Sequence, residues 1–200
     1  MSDPSLETRG ATTGSLAGRL QDAIRQSPHV WRAIERLPAI GLPNAYVAAG
    51  CLAQTVWNVA LGNDLSHGLK DIDVIYYDPD VSAEREQQEI LRVRKALGDL
   101  PFHIDVANEA RVHLWYRQAF GYDIAPYASV EDAIGTFPTT ATAIGVRLTG
   151  EGLRVHAPFG LQDLFALTIR PNKRQITKAI YNAKVERWRQ TWPQLTFIEW

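Results

Sequence analysis

The sequence lacks the usual means of holding a chain together covalently or tying it to a membrane. Cys51 is the only cysteine among 200 residues. One thiol cannot close an intramolecular disulfide, and a structural zinc site built on thiolates needs more of them. A reducing, cytoplasmic setting is the expectation. No stretch approaches the roughly 20 apolar residues that a membrane span needs, so no membrane partner is expected. Residues 1–18 are rich in Ser, Thr and Gly and lack the apolar run of a secretory signal. Residues 1–15 are expected to form a flexible tail. Charge of one sign is missing too: 21 basic and 22 acidic side chains leave a formal charge of −1. No overall positive field recruits nucleic acid, so a nucleic-acid partner is possible but not indicated, and any polyanion would need a local patch. There is no internal repeat.

What is present reads as a globular protein. Hydrophobic residues make up 46% and charged residues 22%, and the length supports one core, or one core with a small lobe. Leu16 to Leu37 has helical apolar spacing, and Pro28 is expected to divide it into two helices. Tyr46 to Ala49 reads as a short strand running into Gly50 and a helix over Leu52 to Leu61. Ile72 to Tyr77 is the clearest strand, rich in β-branched and aromatic residues. A helix capped by Ser82, a strand over Phe102 to Val106 and a helix over Glu109 to Phe120 follow. Beyond Gly121, a hairpin over Ala143 to Leu148 and Leu153 to His156 is predicted, then helices over Leu161 to Thr168 and Ile176 to Trp188. Helices alternating with strands, followed by a hairpin-plus-helix lobe, predict an α/β (α+β) architecture. The expected division is a core over 16–125 and a C-terminal lobe over 126–200 packed on it.

The chemistry concentrates at Lys70-Asp71-Ile72-Asp73. Side chains alternate along a strand with period two, so Asp71 and Asp73 project to one face. Two such carboxylates repel unless a cation lies between them. Mg²⁺ suits the pattern, because it binds one or two carboxylates, keeps waters and takes its other ligands from substrate phosphates. Upstream, Ala48-Ala49-Gly50-Cys51 marks a strand-to-helix turn where the backbone can approach a phosphate. Downstream, Asp105 on another strand offers a third acid, and three acids suit the paired-metal arrangement of phosphoryl and nucleotidyl transfer.

A Gly turn into a helix, then D-x-D on a strand, then a third Asp resembles the nucleotidyltransferase superfamily. That superfamily includes DNA polymerase beta, the aminoglycoside nucleotidyltransferases and the CCA-adding enzymes. Within it the chain is similar to a bacterial nucleotidyltransferase-like family. The segments AAGCLAQTVWNVALGN, HGLKDIDVIYYD, HIDVANEARVHLWY, APFGLQDLF and RPN carry the likeness. The resemblance implies a mixed sheet flanked by helices, with Asp71, Asp73 and Asp105 as the catalytic acids and the ligands of Mg²⁺ (or Mn²⁺). Gly50 and Cys51 match the superfamily's Gly-Ser turn; Lys70 and Arg111 join them as nucleotide-binding candidates. Cys51 stands where Ser or Gly is usual, and a thiol is the weaker donor to phosphate.

The expected function is metal-dependent transfer of a nucleoside monophosphate from an NTP to an acceptor the sequence does not identify. The alternative is a nucleotide- or partner-binding module with a degenerate site. A metal-dependent phosphohydrolase is a third reading. Cys51 at a helix N-terminus also invites a nucleophile reading, against the commoner buried thiol. Trp115 and Tyr116 read as core rather than as a base-stacking platform. His113 reads as a half-buried polar residue. Arg170, Arg174 and Lys178 would share one basic face if their segment were helical.

Overall fold

The computed structural model describes residues 14–200; of the expected tail, residues 1–13 lie outside the described residues. Helix α1 (Leu16–Gln26) starts at Ser15, whose hydroxyl accepts from the Gly18 N–H at 3.0 Å. Helix α2 (Pro28–Ile40) begins on Pro28, where a missing N–H costs little because first-turn donors lack helical partners anyway. The proline thus divides the apolar stretch into two helices, as its position predicts.

Strand β1 (Tyr46–Ala48) is buried throughout and turns sharply at Ala49 into α3 (Gly50–Leu61). Strand β2 (Asp71–Tyr76) leads to α4 (Ala83–Ala96), capped by the Ser82 hydroxyl. Strand β3 (His103–Asn108) then passes through a 3₁₀ turn (Glu109–Arg111) into α5 (Val112–Phe120). After α6 (Val130–Ile134) come the hairpin strands β4 (Gly145–Thr149) and β5 (Gly152–His156). The chain ends with α7 (Gln162–Phe165), β6 (Thr168–Ile169), α8 (Lys178–Thr191) and β7 (Thr196–Phe197).

Five strands form one mixed sheet in the order β3-β2-β1-β4-β5, flanked by helices. Strands β2 and β3 are parallel, which requires a crossover, and α4 supplies it. The remaining pairs are antiparallel. The C-terminal hairpin continues this sheet, because Val146 of β4 lies opposite Val47 of β1. Among the described residues no helix is long and apolar enough to cross a membrane.

One C-terminal expectation is corrected, and the condition for a shared basic face is not met. The helix predicted over Leu161 to Thr168 is only α7, because Leu167 takes a left-handed φ of 53° and the next residues pair as β6. Residues 170–177 are not helical, so Arg170, Arg174 and Lys178 share no helix face. Arg170 instead pairs with Asp163 at 2.9 Å, and Arg174 donates to the Gly135 carbonyl.

Tryptophans fix α8 against the body of the protein. Trp57 of α3 has no exposed surface. Trp188 and Trp192 meet it edge-to-face, with ring centroids 5.5 and 5.4 Å away. Edge-to-face pairs add to the burial of large apolar surfaces. Lys184, one turn before Trp188, is thereby held beside the carboxyl-bearing strands.

Candidate active site

Strand register decides where the acids lie. In the parallel pair β2–β3, Asp73 lies opposite Asp105 and Asp71 opposite His103. Period-two alternation puts Asp71 and Asp73 on one face, and the register adds Asp105 to that face. All three line a cleft of ≈ 460 Å³, together with Ala49, Gly50 and Lys70. Its far wall comes from α8, through Lys184 and Arg187.

The site is electrostatically loaded. Burial pushes the Asp73 carboxyl up to about 7, and the like charges of Asp71 and Asp105 push the same way. The Lys184 ammonium and the Gly50 N–H pull against them. Burial in turn lowers the Lys184 pKa, while Asp73 and Asp71 favour its charged form. Glu109 is only 5% exposed and also lines the cleft. Burial raises it to about 8, with further contributions from Asp73 and Glu86.

Among the described residues, no three His, Cys, Asp or Glu side chains gather closely enough to hold a metal ion by themselves. The three-acid cage expected from Asp71, Asp73 and Asp105 is therefore not preformed: Asp105 stands one strand away, and adjacent strands are about 4.8 Å apart. Mg²⁺ needs no such cage, since one or two carboxylates, waters and substrate phosphates complete its shell. The residues present fit it. They are oxygen donors of like charge on one face, and burial, with the neighbouring charges of Asp71 and Asp105, holds Asp73 above its ordinary range.

Two sequence-derived candidates fall outside the cleft. Cys51 is wholly buried, and its thiol donates to the Ala48 carbonyl at 3.2 Å. Burial drives its pKa far up, so it is neither a phosphate donor nor an activated nucleophile. Arg111 pairs with Glu86 at 2.8 Å and donates to the Val81 carbonyl, which ties it to the α4 side of β3. His113 is half-buried, as expected, and is not among the cleft residues.

The structure adds residues that sequence reasoning passed over. Lys184 and Arg187 were visible only as part of a basic C-terminal run. Glu109 sits inside the HIDVANEARVHLWY segment, four positions after Asp105. Gln54 lies one helical turn after Gly50, is 9% exposed, and its side-chain carbonyl has no hydrogen-bond partner among the described residues. Trp115 departs from the core reading: it is 40% exposed and lines the cleft, whereas Tyr116 behind it is buried.

Known proteins give the same picture. A family model described as nucleotidyltransferase matches residues 35–197. No curated protein matches the chain. A solved NMR structure, described as revealing a CCA-adding enzyme head domain, shares the fold with a TM-score of 0.74 at 25% identity. The alignment covers 90% of this chain and 95% of that one.

Proposed function

The chain belongs to the nucleotidyltransferase family, and from that premise we propose that it moves a nucleoside monophosphate from an NTP to an acceptor, in a Mg²⁺- or Mn²⁺-dependent reaction. The observation that carries this reading is the register that sets Asp73 beside Asp105, with Asp71 on the same face of the cleft. Asp71 and Asp73 would hold the metal, which when bound neutralises charge developing on the transferred phosphoryl group. The Gly50 turn brings the N-terminus of α3 toward the triphosphate, while the Gly50 N–H itself serves the Asp73 carboxyl. Lys70, Lys184 and Arg187 add positive charge around it and hold it in place. Asp105, opposite Asp73 on the neighbouring strand, would accept a proton from the acceptor hydroxyl.

The test is incubation with α-labelled NTPs, Mg²⁺ or Mn²⁺ and a cell extract. A labelled product should appear, and it should vanish when Asp71→Asn and Asp73→Asn are combined. Absence of product, or labelling that survives the double substitution, defeats the reading.

One observation favours a second reading, a module that binds nucleotide without turnover. The position where the superfamily places a hydroxyl carries Cys51, whose thiol points to Ala48 and away from the cleft. Calorimetry separates the two: NTP binding with metal but no product in any extract supports the module.

A further inference from the structure

The cleft also has an aromatic lining that the transfer chemistry does not use. Trp115 and Phe120 of α5 line it and are 40% and 42% exposed. Large apolar side chains left open inside a concave site mark a ligand surface rather than a packing surface. Their backing is firm. The Tyr116 ring lies 4.5 Å from Phe120 and 6.2 Å from Trp115, tilted by only 28° from the latter. Tyr116 is in turn held edge-on by Tyr122 at 5.4 Å. Chain continuity joins this platform to the acids, since β3 carries Asp105 and leads through the 3₁₀ turn directly into α5.

One cleft therefore offers both carboxylates and lysines and exposed flat aromatic rings. Its volume of ≈ 460 Å³ lies within the roughly 300–1,000 Å³ typical of small-ligand sites. A ligand matching both is polyanionic in one part and a flat ring in another. We propose that Trp115 and Phe120, backed by Tyr116, form the stacking subsite for the base of the donor NTP. The inference rests on the nucleotidyltransferase reading of the same cleft. Stacking tolerates any base, because each has a π-face. Gln175 donates to the Tyr127 hydroxyl at 2.6 Å, and both line the cleft as polar groups for the base edge.

Calorimetry with Mg²⁺ tests this, comparing ATP and UTP with inorganic tripolyphosphate. The wild-type chain should bind both nucleotides at least about tenfold tighter than tripolyphosphate, in line with stacking energies. Trp115→Ala combined with Phe120→Ala should erase most of that advantage and leave tripolyphosphate affinity unchanged. Trp115→Phe, which keeps a ring, should retain most of it. Circular dichroism checks that each variant is folded. Equal wild-type affinity for nucleotides and tripolyphosphate overturns the inference and leaves the proposed function standing. So does a parallel loss of tripolyphosphate binding in the double variant, which would mark a structural role. Nucleotide affinity untouched in the double variant overturns it too, and would give the platform to an aromatic acceptor instead. Failure of every ligand to bind the wild-type chain overturns both readings.

Discussion

The indole N–H of Trp192 donates a 2.8 Å hydrogen bond to the side-chain carbonyl of Asn58, 134 positions earlier in the chain. Both groups are buried. The bond fixes the end of α8 against α3, and with the contacts of Trp188 and Trp192 to Trp57 it sets where Lys184 stands. Gly68 shares this junction: its φ is +71°, and a Cβ there would lie 2.4 Å from the Trp192 ring.

Trp192→Phe should therefore destabilise the protein by about 1–3 kcal/mol, because it leaves the buried Asn58 carbonyl with only a long 3.5 Å bond from Asn63 and removes part of a packed ring. Urea denaturation measures this. Gly68→Ala should act in the same direction, through both backbone strain and displacement of the indole.

Stability without metal should fall as pH rises from about 4 to about 8. The sign follows from Asp73 and Glu109, whose carboxyls are raised in the folded state to about 7 and about 8 from ordinary values of 3.8 and 4.5. Across that window the folded chain binds more protons than the unfolded one, so the stabilisation present below pH 4 is lost through the folded-state values. Thermal denaturation across the range should show a descending slope, and Glu109→Gln should flatten its upper part. A slope that rises in the wild-type chain contradicts the assignment.

Added Mg²⁺ should raise the melting temperature near pH 8, above the value of about 7 to which Asp73 is raised. Ligand linkage makes the increment depend on metal concentration. Asp73→Asn should abolish the increment while itself stabilising the metal-free chain at that pH, because it removes a buried like charge.

Lys184→Met should reduce transfer from an NTP by roughly 100-fold, the scale of losing one charged group aimed at the reacting phosphates. Arg111→Ala and Cys51→Ala serve as contrasts. Both should leave NTP affinity within about twofold, since neither side chain lines the cleft. Arg111→Ala should still cost about 1–3 kcal/mol of stability by removing the countercharge of Glu86, which keeps only the Asn108 N–H bond. Steady-state kinetics and calorimetry check these together.

Much of the fold is legible in the sequence because it follows from local rules. Pro28 divides α1 from α2, the run Ile72 to Tyr77 makes a strand, and the turn near Gly150 makes a hairpin. Asp71 and Asp73 share a face because alternation along one strand requires it. The early end of α7 at Phe165 escaped the sequence reading, because pairing of β6 with the distant β7 overrode helical spacing there.

The sequence by itself determined the mixed α/β character of the chain and the pair of carboxylates on β2. Only the tertiary structure decided what surrounds that pair. Parallel register brought Asp105 opposite Asp73, and a tryptophan junction over a hundred residues away brought Lys184 to the same cleft. Packing turned Cys51 inward and left Trp115 open. The difference is physical: side-chain alternation acts between residues one or two apart. Register, docking and burial depend on which distant surfaces meet, and local spacing carries no record of that.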